Sequence, residues 1–104
     1  MRILIAEGDA MLAEALRCTL RRSGYAVDWV GDGAEADAAL GATEFDLLIL
    51  DISLPELDGF EVLRRLRARD SRLPVLWDTI GRANYGRGAR GRVGGGSMDI
   101  PSPR

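Results

Sequence analysis

Asp51 closes a run of buried-strand residues, Leu47-Leu48-Ile49-Leu50, and is followed by Pro55, which stiffens the exit loop, and by Asp58-Gly59, which reads as a turn launching a helix. Glu7 stands directly after a second apolar run, Ile3-Leu4-Ile5-Ala6. Open α/β sheets gather their functional groups at the carboxyl ends of parallel strands, which is where both acids fall. Carboxylates brought to one rim repel each other when ionised, and their pKa values rise unless a cation intervenes. Mg2+ suits such a rim, since it takes hard oxygen ligands and keeps several waters. Asp9 can serve in either of two ways, as the cap of the next helix or as a further oxygen for the cation.

The elements that must position these acids alternate regularly. Ile3 to Ala6 is an all-apolar strand suited to cover on both faces. A helix over about Ala10 to Ser23 repeats Leu12, Leu16 and Leu20 every fourth residue, turns Arg17, Arg21 and Arg22 to water, and stops at Gly24. Tyr25 to Val30 reads as a strand, Ala34 to Leu40 as a short Ala-rich helix, and Phe45 to Leu50 as a strand. Phe60 to Arg69 is a helix with Leu63 and Leu66 inward and Arg64, Arg65, Arg67 and Arg69 outward. A fourth strand begins at Pro74. Strands alternating with helices imply a parallel sheet with right-handed crossovers, for which the flavodoxin-like, doubly wound strand order 2-1-3-4-5 is the candidate. That order makes the first and third strands neighbours about 4.8 Å apart, so Glu7 and Asp51 emerge at the same rim.

The phrase from Leu47 through Asp51 to Gly59, with Pro55 four and Gly59 eight residues after the acid, resembles the phosphoacceptor segment of response-regulator receiver domains. Its continuation, Leu54-Pro55-Glu56-Leu57-Asp58-Gly59-Phe60-Glu61-Val62-Leu63, is similar to the subfamily of OmpR/PhoB-type winged-helix transcriptional regulators. The resemblance implies that Asp51 is a nucleophile that becomes an acyl phosphate, with a sensor histidine kinase as donor. It implies a Mg2+ site built from Glu7, Asp51, the backbone carbonyl of Ser53 and, if its loop shifts, Asp9. The cation would screen the incoming phosphoryl group. Thr79 falls where the family places its switch hydroxyl. A receiver of this kind is an acceptor rather than an enzyme, and it reaches DNA only through an effector domain that this chain does not include.

Several features depart from the family pattern. Receivers carry two consecutive acids after the first strand, and here the pair reads Glu7-Gly8, so weak Mg2+ affinity and slow phosphorylation are expected. The position before Thr79 is Asp78 rather than Leu, and the one after it is Ile80 rather than a small residue. The family's Lys after the fifth strand has no counterpart, because all fourteen basic residues are Arg. An Arg fork is a poor substitute for a compact ammonium. The resemblance covers residues 1–79, read as a truncated receiver in the order 2-1-3-4. The fifth strand and last two helices are expected to be missing. Residues 80–104 form a Gly/Arg-rich tail expected to be disordered, with seven Gly and five Arg between Gly81 and Arg104. A frameshift, a truncation or an engineered ending would each leave this signature. Such a chain would expose its fourth strand as an edge, lose the surface by which the subfamily dimerises, and be weakly stable and prone to self-association.

Composition narrows the remaining classes. A chain of 104 residues bounds one domain. The net charge of −2 hides an acidic N-terminal part and a basic C-terminal part. The apolar run at the start is too short for a signal or a membrane span, so cytoplasmic residence is the default. The one cysteine, Cys18, beside the apolar stripe of the first helix, reads as a small core filler. Without His, catalysis by Ser/His or Cys/His pairs and His-ligated zinc are excluded. Gly31-Asp32-Gly33-Ala34-Glu35-Ala36 reads as a tight turn rather than a dinucleotide fingerprint. Arg87-Gly88-Ala89-Arg90-Gly91-Arg92 reads as linker sequence rather than an RNA-binding segment, for want of aromatic platforms beyond Tyr85. Three functions stay in play: a phosphoryl-accepting receiver, a degenerate receiver acting only as an interaction module, and a small flavodoxin-like binder of an unrelated ligand.

Overall fold

The computed structural model describes residues 1–69, 71–78 and the backbone of 98–99. Four strands, β1 (Arg2–Ala6), β2 (Ala26–Val30), β3 (Leu47–Asp51) and β4 (Val75–Asp78), are joined by helices α1 (Ala10–Arg22), α2 (Gly33–Ala42) and α3 (Gly59–Ala68). The four strands are parallel in the order β2-β1-β3-β4, the flavodoxin-like arrangement expected from the alternation.

The runs Ile3–Ala6 of β1 and Leu47–Leu50 of β3 are apolar at every position because these central strands are covered on both faces. On one face Leu4, Ala6, Leu48, Leu50 and Val75 pack with Ala36 of α2 and with Val62 and Leu66 of α3. On the other, Ile3, Ile5, Val27 and Ile49 pack with Leu16 and Leu20 of α1. Burying one such side chain fully is worth about 1.5–3 kcal/mol, so the central strands carry much of the stability. Each helix starts on an aspartate whose carboxylate accepts first-turn N–H groups. Asp9 takes those of Met11 and Leu12, Asp32 that of Glu35, and Asp58 that of Glu61.

Several expectations need correcting. Part of the tail expected to be disordered is paired: a two-residue strand, β5 (Met98–Asp99), lies antiparallel against β4, Val75 opposite Asp99 and Leu76 opposite Met98, which is not the parallel fifth strand of the order 2-1-3-4-5. The edge of β4 offers open backbone groups to any extended segment that reaches it, and a two-residue strand has no periodicity to betray it. The rest of the expected disordered tail, residues 80–97 and 100–104, lies outside the described residues. Cys18 is exposed and donates to Glu14 Oε2 at 3.3 Å, since it sits two residues past Leu16 and points away from the sheet. On α3, Leu63 packs against the core partly buried beside Leu66, as expected, and Val62, which was not expected inward, is fully buried. Arg67 does not simply face water: it donates to the carbonyls of Ser71 and Leu73 and ties the end of α3 to the approach of β4.

Candidate functional site

Three side-chain stripes on the α1 face of the sheet run apolar until the carboxyl rim and then end in acids. Ile3 and Ile5 lead to Glu7, Leu47 and Ile49 to Asp51, and Leu76 to Asp78. The parallel ladder pairs Ile49 with Leu76 and Asp51 with Asp78, so the last two acids stand side by side. The backbone N–H of Glu7 donates to the carbonyl of Val30 at 3.1 Å, continuing the β1–β2 pairing one step past the strand.

Glu7 is the most perturbed group described. It is only 2% exposed, and its Oε2 accepts the backbone N–H of Asp9 at 2.9 Å. Burial first, and then a hydrogen bond with Asp78, push its carboxyl up to about 9, against the partial relief of the Asp9 N–H. The charge of Asp51 is the smallest of the causes. Convergence of Glu7 with Asp51 was legible from topology, but the dominant neighbour is Asp78, which sequence reading treated only as a departure from the family's Leu. Its parity with Leu76 was the available signal, placing it on the same face as Ile49 and Asp51.

Asp51 is half-buried, and its Oδ1 accepts the backbone N–H of Ser53 at 3.1 Å. Ser53 is exposed at the start of the exit loop. That loop is locked from both sides. The Gly59 N–H donates to the Ile52 carbonyl at 2.9 Å, and the Gly33 N–H to the Pro55 carbonyl at 3.0 Å. Glu56 takes a left-handed φ of 68° at the loop's apex. Both glycines serve close approach rather than turning. A Cβ on Gly33 would lie 1.6 Å from the Leu57 carbonyl oxygen, and one on Gly59 would lie 2.4 Å from that of Asp51. The expected tight turn at Gly31-Asp32-Gly33 and the expected turn at Asp58-Gly59 are thus helix starts, each with an Asp cap and a first glycine pressed against the Asp51 loop.

Asp9 is exposed, with Oδ1 committed to the N–H groups of Met11 and Leu12. Thr79 lies outside the described residues. Gly8 supplies no side-chain oxygen. Among the described residues, no group of three or more acids or cysteines is arranged to hold a metal ion. With Glu7 held between the Asp9 N–H and Asp78, the donor set does not fit Mg2+ as it stands.

A family model for the response regulator receiver domain matches residues 3–88. The chain belongs to the response regulator receiver family. Over 76 residues it is 50% identical to the response regulator protein PmrA of Pseudomonas aeruginosa, a match covering 73% of this chain and 34% of that protein. Over the same length it is 47% identical to the transcriptional regulatory protein TctD of Salmonella typhimurium, again covering 73% and 34%. The chain therefore spans about a third of the length of the curated relatives it matches. Among solved structures it resembles the response regulator TrrA of Thermotoga maritima in complex with Mg2+ and BeF, at 31% identity and a TM-score of 0.68, covering 71% of this chain and 64% of that one. It also resembles the receiver domain of a sensor histidine kinase from Pseudomonas aeruginosa PAO1 with magnesium in its active-site cleft, at 27% identity and a TM-score of 0.71, covering 82% and 74%. Among the described residues, no helix is long and apolar enough to cross a membrane.

Proposed function

We propose that this receiver accepts a phosphoryl group on Asp51 from a sensor histidine kinase. The observation that carries the reading is the placement of Asp51. It is the last residue of β3, half-buried at the carboxyl rim, with Oδ1 fixed by the Ser53 N–H. This hydrogen bond orients the carboxylate and leaves Oδ2 the less engaged of its two oxygens, which we assign as the attacking one. Oδ2 forms the new O–P bond as the N–P bond of a phosphohistidine breaks, and the histidine nitrogen leaves with the electron pair and takes up a proton. The locked loop holds the carboxylate in place, so little orientational freedom is lost at the moment of transfer.

The relatives named as transcriptional regulatory proteins support control of transcription as the output, with DNA contacted through a part of the protein outside this chain. The neighbours that hold Mg2+ support a cation at this rim, while the grip on Glu7 works against it. Cytoplasmic residence fits partnership with a kinase's phosphohistidine.

Incubation with acetyl phosphate and Mg2+, followed by intact mass measurement, tests the reading. One phosphoryl adduct is expected on the wild-type chain and none on Asp51→Asn. An adduct that persists on the variant, or none on a folded wild-type chain, would overturn it and leave the interaction-module reading ahead.

A further inference from the structure

Asp78 ends β4 on the α1 face, beside Asp51 in the ladder, and is only 6% exposed. β3 lies between β1 and β4, so the Glu7 carboxyl meets Asp78 by reaching across the end of β3, over the phosphoacceptor strand itself. On its other side the same carboxyl is fixed by the Asp9 N–H at 2.9 Å. Glu7 is thereby strapped across the rim and almost wholly removed from solvent. An acid in this posture does not present its oxygens to a hydrated cation arriving from outside, and Gly8 offers no replacement.

We propose that Asp78 is an inhibitory positioning residue of the site: by holding Glu7 across the end of β3, it sets how weakly the rim binds a divalent cation. This deepens the reading of Asp51 as phosphoacceptor and rests on it for its consequence, but it concerns cation affinity alone. Trp29 is a built-in reporter, because its indole N–H donates to the backbone carbonyl of Glu7 at 2.9 Å. The indole thus sits against the residue whose side chain the cation must recruit, where a change in local charge alters its fluorescence.

The experiment titrates Mg2+ against tryptophan fluorescence in the Trp77→Phe background, which leaves Trp29 as the sole indole. Asp78→Leu, which cannot hold Glu7, is expected to tighten apparent Mg2+ affinity at least tenfold. Asp78→Asn, which can still hydrogen-bond Glu7, is expected to stay within threefold of the parent. Urea denaturation of each variant establishes that it is folded. Should Asp78→Leu not fold, Gly8→Asp carries the test. If Asp78 sets the limit, Gly8→Asp alone improves Mg2+ affinity less than fivefold, because Glu7 remains strapped. Weaker or unchanged Mg2+ binding in folded Asp78→Leu would overturn the proposal, the first by making Asp78 a ligand and the second a bystander. So would a tenfold gain from Gly8→Asp with Asp78 intact. The Asp51 reading fails separately: tightened Mg2+ binding with no phosphoryl adduct would sink that reading and leave this one standing.

Discussion

Adding one methyl group to Gly59 tests the claim that the Asp51 loop is held by close backbone approach. The new Cβ would lie 2.4 Å from the Asp51 carbonyl oxygen and 2.8 Å from the Ile52 Cα. Ordinary contact begins near 3.4 Å, so the start of α3 must withdraw by about 1 Å from the end of β3. The obstacle is backbone on both sides, which cannot swing away as a side chain can. Overpacking of this kind costs about 1–3 kcal/mol. Alanine in a helix recovers about 0.5–1 kcal/mol relative to glycine. Gly59→Ala should therefore destabilise the chain by up to about 2.5 kcal/mol, read as a lower urea midpoint at unchanged slope. Gly41→Ala is the matched control, because Gly41 also sits in a helix and its Cβ would meet nothing within 4 Å. That change should stabilise by about 0.5–1 kcal/mol. Phosphorylation of Gly59→Ala should slow as well, since the shifted helix pulls on the Ile52 carbonyl that anchors the loop. If the two alanine variants changed stability in the same direction by similar amounts, the close-approach argument would be wrong.

Two further outcomes follow from the acidic rim. A Cβ on Gly8 would stand 3.5 Å from Pro55 Cδ and 3.9 Å from the Gly31 carbonyl, both ordinary contacts, so Gly8→Asp should fold with stability within about 1 kcal/mol of the parent by urea denaturation. A larger loss would mean that the loop after β1 has no room for the family's second acid. In metal-free buffer the folded chain keeps a proton on Glu7 that the unfolded chain releases above 4.5, so stability should fall as pH rises from 4.5 toward about 9. The slope approaches at most about 1.4 kcal/mol per pH unit within that window, and Glu7→Gln should flatten it. Urea midpoints taken across the window check this, and equal slopes in the two chains would contradict it.

The legible parts of the fold were those that periodicity reports. The runs at Ile3–Ala6 and Leu47–Leu50 are apolar at every position because helices cover both faces, and that pattern led to the sheet order and to Glu7 meeting Asp51. What escaped were contacts fixed by three-dimensional reach. Gly33 and Gly59 look like turn residues in sequence, yet their φ values are not left-handed, and it is the neighbouring backbone that demands glycine. Asp78 looked like a misplaced residue in a strand. Its partnership with Glu7 depends on the β3–β4 register and on a side chain crossing an intervening strand, which no local pattern encodes. Cys18 was misjudged because it borders the α1 stripe without belonging to it. Arg67 was misjudged because an arginine stem on a helix flank can turn its head back to the carbonyls of the following loop.

Chemical trapping tests the central claim most directly. The chain is exposed to a phosphorylated histidine kinase, reduced at once with borohydride and cleaved, and the peptides are sequenced by mass spectrometry. An acyl phosphate on Asp51 would appear as homoserine at position 51 and nowhere else. Homoserine at another acid, or an unmodified Asp51 in a chain shown to be folded and to have met an active kinase, would contradict the account.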